Sequence, residues 1–447
     1  GNHYHFYDYT SFVEKEIGIK INNESSFFKW IYKDEIKLYQ FTDSIRNFLS
    51  KYFIENMVGY YKEVEVINLE NLDAPNFDEH TMASGLGGYV ESKLPTRELE
   101  EYIPLVKKLE VHGIYPDIKI ISDLHLDFKI LKIISSSHPK KNNSNSLRPI
   151  FLLAEKESEK IIVCCVTPGR DLLIHYASMS SSFFKKANIQ MSVYAYPIAE
   201  GKIDKWTGLD ETMIYFNDVV ILGYSTFFKE KFMQDLSFSV MTVNQNKFYT
   251  STRLLSSSGV IVNCLEANYG HWGDISDYLS QKICQLGANE IIHIGKVGTF
   301  TAPSEVYKRI YIPASFVVGR RDEIFYNDVS ISNSMEYIEE YSSLAHVSVS
   351  TTMEETFKQR DSFERHKIET IDIESSKIAQ AVALYNLKSD KKVKFGAIHF
   401  SSDYLRKADE IEESLEFDLS TERDRLRKEK DRIMTEIYEI IKVHFSE

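Results

Sequence analysis

The chain has 447 residues, 43% hydrophobic and 27% charged, with a formal net charge of −13. That acidity argues against a nucleic-acid backbone or an anionic membrane as the main partner, though a small phosphorylated ligand needs only local positive charge. The length exceeds one ordinary core, so two domains are expected, and no apolar run approaches the ~20 residues of a membrane-spanning helix. The four cysteines, Cys164, Cys165, Cys264 and Cys284, show no zinc spacing. Buried, reduced thiols and a cytoplasmic location are therefore expected, and the start of the chain has no signal-peptide pattern.

Residues 1–110 read as mostly helical, with apolar residues at helical spacing over Phe27–Phe53 and Arg97–Leu109. Met82-Ala-Ser-Gly-Leu-Gly-Gly-Tyr89 is glycine-rich but follows no clear strand, which predicts a flexible loop rather than a phosphate loop. Residues 110–215 read as β-rich. Short apolar runs occur at Asp117–Ile121 and Phe128–Ser135, a hairpin over Pro149–Glu155 and Lys160–Val166, and a further strand over Met191–Pro197. Ile120-Ile-Ser-Asp-Leu-His-Leu-Asp127 resembles the first metal motif of calcineurin-like phosphoesterases and would make Asp123 and His125 ligands. The downstream segments such enzymes need are absent, so no metal is expected. Ser178–Ser182 reads as a loop or cap, and no internal repeat is visible.

From about Tyr215 strands and helices alternate. Strands are predicted at Asp218–Leu222, Val260–Cys264, Glu290–Ile294, Val347–Val349, Thr370–Ile373 and Phe395–Phe400. Helices are predicted at Phe227–Met233, His271–Leu286, Ser375–Tyr385 and Thr421–His444, with a turn at Gly295-Lys-Val-Gly298. This alternation predicts an α/β domain with a mostly parallel central sheet flanked by helices over residues 215–447. An α+β domain of unknown role over residues 1–214 would precede it. Two acids end apolar runs: Glu374 in Ile371-Asp-Ile-Glu374, and Asp403 in Phe400-Ser-Ser-Asp403. Carboxylates at strand ends of an α/β protein suit chemistry better than stability.

Several segments of the second half resemble the nucleoside phosphorylase family. Leu286-Gly-Ala-Asn-Glu-Ile-Ile-His-Ile-Gly-Lys-Val-Gly298 is similar to its glycine-bearing central strand. Ile371-Asp-Ile-Glu-Ser-Ser-Lys-Ile-Ala379 is similar to its ribose-binding strand and helix, and Phe400-Ser-Ser-Asp-Tyr-Leu405 to its base-binding strand end. Asp218–Leu222 and Val260–Gly270 resemble the family's first two strands in the right order. The long amino-terminal half resembles, in length alone, the two-domain layout of AMP nucleosidase.

The resemblance implies cleavage of the N-glycosidic bond of a purine nucleoside or nucleotide. Asp403 would protonate the leaving base and Glu374 would bind the ribose hydroxyls. Ser402, Ile373, Phe357, Gly295, Lys296, His293 and His271 are the further substrate-binding candidates. Ile373 would lie against the sugar, Phe357 on the base, and Lys296 and His293 near a nucleotide phosphate. The family's phosphate-binding arginines are missing: Phe227 and His293 stand in their places, and Lys296 replaces a small hydroxyl residue. Water is therefore the expected nucleophile, with phosphorolysis and a non-catalytic nucleotide sensor as alternatives. No cofactor is expected, and the family implies a homo-oligomer.

Overall fold

The computed structural model describes residues 54–445, apart from 56, 63–64, 70–76, 83–84, 136–138, 141–143, 197–208, 210, 246–248, 268–270, 320–326 and 411–422. The helix expected over Phe27–Phe53 lies outside these residues. The first half contains β1 (Ile67–Asn68), β2 (Lys108–His112), β3 (Lys129–Ser135), β4 (Pro139–Lys140), β5 (Ser144–Leu147), β6 (Ile150–Lys156), β7 (Glu159–Cys165) and β8 (Gln190–Ala195). Six of them form a sheet in the order β1-β8-β2-β7-β6-β3, while β4 and β5 pair separately. The β6–β7 hairpin forms where its apolar runs predict it, turning at Glu157 and Ser158, both with positive φ.

Three local expectations fail here, each for a visible reason. Asp117–Ile121 is not a strand: Asp117 accepts from the Lys119 and Ile120 amides and so starts the helix Ile118–Asp123. That places Asp123 at an exposed helix end and His125 in an exposed turn, while Asp127 pairs with Lys156 at 2.8 Å, so the phosphoesterase reading is removed. Ser178–Ser182 lies inside the helix Arg170–Phe184, where buried Leu173, Tyr176, Ala177 and Met179 supply the packing face. Gly85–Lys93 is likewise helical, with Leu86 and Val90 buried.

The second half contains β9 (Val219–Leu222), β10 (Phe238–Gln245), β11 (Tyr249–Ser256), β12 (Ile261–Ala267), β13 (Glu290–Thr299), β14 (Ile310–Val318), β15 (Asn327–Val329), β16 (Ser342–Ser348), β17 (Ile368–Asp372) and β18 (Lys394–Tyr404). The α/β class holds, but the sheet is mixed rather than mostly parallel. β12 and β13 flank β9 in parallel, while β10, β11 and β12 form an antiparallel meander at the edge. β13 pairs with β18, β18 with β14, β14 with β16, β16 with β17, and β17 returns to β13, so five strands close into a barrel. Closure removes two strand edges, and it needs antiparallel joins at β13–β17 and β14–β18 that an open wound sheet does not have.

The Gly295–Gly298 segment is not a turn; β13 runs straight through it. Its glycines admit neighbours instead. A Cβ on Gly295 would meet the His399 ring at 2.7 Å, and one on Gly298 would meet Leu405 at 2.4 Å and Asp403 at 2.9 Å. The helix Asp274–Gln285 and the helix Ser375–Lys388 cover one face of the barrel-bearing sheet. The helix Arg423–His444 sets Ile433, Met434, Ile437 and Ile441, spaced for one helical face, against Ile292, Ile294 and Phe400. One buried cluster runs from Ile150, Leu152 and Val163 on the first sheet to Leu222 and Phe395 on the second and Ile283 on the helix Asp274–Gln285, so a single core crosses residue 214. No helix among the described residues is long and apolar enough to cross a membrane.

Candidate active site

The two acids stand on either side of β13. Gly298 pairs with Ile371 of β17 on one side and with Asp403 of β18 on the other. With strands about 4.8 Å apart, the neighbours of β13 are separated by roughly 10 Å, the scale of a nucleoside. β17 runs antiparallel to β13, so the chain beyond Ile371 heads back towards Gly295 before Glu374 leaves the strand. Asp403 owes its direction to a β-bulge: Val297 faces Ser401, Gly298 faces Asp403, and Ser402 is the extra residue. Without the bulge, strand alternation would turn Asp403 to the opposite face. Its carboxylate lies over Gly298, and the buried Ser402 hydroxyl donates to it.

A second carboxylate backs Asp403. Glu355 is 6% exposed, and burial, then the charge of Asp403, pushes its carboxyl well above the ordinary range. Glu355 is therefore held in its neutral form beside Asp403. Glu355 lies in Met353-Glu-Glu-Thr-Phe357, the segment from which Phe357 alone was singled out, and the doubled acid was its available signal. Phe357 is half-buried under the Arg406 guanidinium, 4.9 Å from the ring centre.

Glu374 holds the cap position of the helix Ser375–Lys388, but its side chain does not do the capping. Asp372 takes that role, accepting from the amides of Glu374 at 3.0 Å and Ser375 at 3.1 Å. Glu374 makes no side-chain cap bond. Its carboxyl is half-buried and is pushed well up by burial, then by the charge of Asp372, with Lys377 opposing. Burial likewise raises the Tyr224 hydroxyl, which feels the Glu374 charge, so the end of β9 adjoins the same place.

Beneath Glu374 lies a buried polar hub. The Ser375 hydroxyl donates to Asp372 and lies 2.8 Å from His293 Nδ1 and 2.9 Å from His399 Nε2. One hydroxyl proton and two lone pairs are thereby used, so both ring nitrogens donate. Asp372 also accepts from Ser348 at 2.5 Å and lies 2.8 Å from His346 Nε2. Burial opposes its charge, but His346, His399 and His293 hold it far below the usual range. Burial lowers His293 to about 3 and His271 to about 4, so both are neutral near pH 7. The ligating atoms of His293, Asp372 and His399 lie within 4.8 Å of one another, a metal-like spacing. Ser375 bonds all three, which makes the cluster a hydrogen-bonded support, while the buried His399 Nδ1 has no hydrogen-bond partner among the described residues.

The structure thus brings Glu374, Ile373, Gly295, Ser402 and Asp403 to one stretch of β13, with His271 beside His293 at 5.7 Å between ring centres. Ile373 is buried among Phe300, Phe363 and Leu405. It does not bring His293 and Lys296 together. They project from opposite faces of β13, His293 buried and Lys296 exposed. Lys296 instead adjoins Lys430, whose ammonium is held down by burial and then by Lys296, and which lies 4.5 Å from the Tyr224 ring centre. Sequence reading missed Glu355, Asp372, Ser375, His346, His399, Tyr224 and Lys430.

No model of a known protein family matches the chain. It is similar to a protein named oxidoreductase cns1 from Cordyceps militaris, 24% identical over 389 residues. That alignment covers 82% of this chain and 49% of the other, so the chain spans about half the length of the curated relative. Among solved structures, a crystal structure of purine nucleoside phosphorylase from Toxoplasma gondii in complex with immucillin-H aligns with 46% of this chain and 87% of its own. Identity there is 12% and the TM-score 0.32, too slight to assign a fold.

Proposed function

We propose that the chain cleaves the N-glycosidic bond of a purine nucleoside or nucleotide by hydrolysis. The observation that carries this reading is the bulge-aimed Asp403 on one side of β13 with the carboxyl of Glu374, which caps no helix and accepts only a long bond from the Ile373 amide, on the other. Cleavage passes through an oxocarbenium-like ribosyl group, which needs a protonated leaving base and an anion near the sugar. Asp403, backed by the raised carboxyl of Glu355, supplies the first at the purine N7. Glu374, when ionised, accepts from the ribose hydroxyls and favours the developing cation. The His271 Nδ1 is buried without a hydrogen-bond partner among the described residues, and its neutral ring suits it to take a proton from the attacking water. Ile373 packs beside the sugar, and the hub around Ser375 holds the backbone of Glu374 in place.

The test is chromatography of purine nucleosides and their 5′-phosphates after incubation, with and without inorganic phosphate. Free base released at the same rate in both buffers is expected. A strict need for phosphate would move the reading to phosphorolysis. Absence of free base from every purine substrate would remove it.

A second reading has one observation in its favour. The relative named an oxidoreductase matches most of this chain yet is about twice as long. The chain would then be a nucleotide-binding module beside a separate catalytic domain. Calorimetric binding of a nucleotide with no turnover would favour it.

A further inference from the structure

The two halves of the molecule share a chain path that their sequences do not reveal. In each, a strand (β2 or β9) leads through a helix (Ile118–Asp123 or Ser225–Gln234) to an edge strand (β3 or β10). A hairpin follows (β6–β7 or β11–β12), then a helix (Arg170–Phe184 or Asp274–Gln285) and a last strand (β8 or β13). The sheet orders match, β3-β6-β7-β2-β8 against β10-β11-β12-β9-β13. The strand senses match as well: antiparallel, antiparallel, parallel, parallel. Among the described residues the first half adds the β4–β5 pair and a short 3-10 turn at Lys185–Ala187.

The halves meet through equivalent residues. The helices Arg170–Phe184 and Asp274–Gln285 abut at their amino ends, each opened by a glycine with positive φ, Gly169 and Gly273. The Asp274 carboxylate accepts from the Arg170 amide at 2.8 Å and the Asp171 amide at 3.2 Å. The Asp171 carboxylate accepts from the Asp274 amide at 2.9 Å. Gly169 touches Ile275 and Gly273 touches Asp171, a pairing kept when each residue is exchanged for its counterpart 104 positions away, and the Asp171 and Asp274 carboxylates each accept from the other's amide. That reciprocity is the mark of a two-fold interface between like subunits.

The first half also grips both sides of the candidate site. Asp171 forms a buried ion pair with Lys377, one turn after Glu374, and Lys377 also donates to the Val349 carbonyl at 3.1 Å. On the other side, His175 Nδ1 lies 2.8 Å from the Thr351 hydroxyl, and His80 Nε2 lies 2.8 Å from the Thr352 carbonyl. The Thr81 amide donates to the Glu355 carbonyl at 2.9 Å.

We infer that the first half is a degenerate second copy of the unit that opens the catalytic half. Docked in cis, it does what a partner subunit would do, with Asp171 a positioning residue that holds Lys377 and, through it, Glu374. The inference rests on the proposed reading of Glu374 for its catalytic consequence alone. Removing the carboxylate strands a buried ammonium, which then leaves its place.

The experiment is amide hydrogen exchange of the full chain, followed by mass spectrometry, for wild type, Asp171→Asn and Asp171→Glu. Exchange across residues 372–377 is expected to quicken roughly tenfold or more in Asp171→Asn and to return towards wild type in Asp171→Glu. A folded Asp171→Asn protein with unchanged exchange there would overturn the inference. If that variant does not fold, Lys377→Met breaks the same pair while keeping both carboxylates that join the two helix starts. It should loosen residues 372–377 and spare 169–174; unchanged protection at 372–377 would again overturn the inference. Where a substrate is found, Asp171→Asn should raise KM more than it lowers kcat. Exchange needs no turnover, so failure of the enzymatic reading and failure of this one are told apart.

Discussion

The two halves have the same frame and different ends. In the first, β2, β7 and β8 end in His112, Cys165 and Ala195, and the sheet gains only the two-residue β1 beyond β8. In the second, β13 runs ten residues and gains β17 and β18 on its flanks, which carry Glu374 and Asp403 beside it. The comparison teaches that the shared frame does not by itself make the candidate site, which needs β13 lengthened and β17 and β18 joined to its flanks.

The comparison is broken most directly at the acids. Asp403→Asn should cost about 10²–10⁴-fold in base release, the usual range for a lost general acid, and Glu374→Gln a comparable or smaller factor. Chromatographic assay of the purified variants measures both, and near wild-type turnover in Asp403→Asn would leave the closed barrel without its assigned chemistry.

The pH dependence of kcat/KM sharpens the division of labour. Glu374 must be ionised to accept from ribose, and burial and Asp372 raise it, so activity should climb through a limb above the ordinary glutamate value of about 4.3. A profile flat down to pH 4.5 would contradict the role given to Glu374.

Ser375→Ala tests the support under the site. It removes the shared partner of Asp372, His293 and His399 and should cost about 1–3 kcal/mol, read as a lower Tm.

The smallest effect is expected at Glu355. Its carboxyl is raised in the folded state, so its contribution to stability is full below the unfolded value and is lost as pH rises. Glu355→Gln should therefore raise Tm by roughly 2 °C at pH 7, with the gain vanishing near pH 4. Equal shifts at both pH values would mean that Glu355 is not held protonated.

Much of this molecule is written locally. Val219–Leu222 reads as a buried strand because it is an unbroken apolar run, and the β6–β7 hairpin because two such runs flank a polar turn. Glu374 and Asp403 stand out because each ends a strand. Asp117–Ile121 misleads because one capping carboxylate outweighs a β-like apolar pattern. β10 was missed because it is an exposed edge strand without a continuous apolar run. The hub was not legible at all: His293, His346, Asp372, Ser375 and His399 come from four strands and one helix start, and no spacing joins them.

The sequence by itself determined where strands and helices alternate and which acids sit at strand ends, since both depend on neighbours along the chain. The tertiary structure decided which carboxylate caps a helix and which does not, which way Asp403 points, and that the halves share one frame. Those depend on strand register, a bulge and burial, and hydrogen bonds between distant segments set all three.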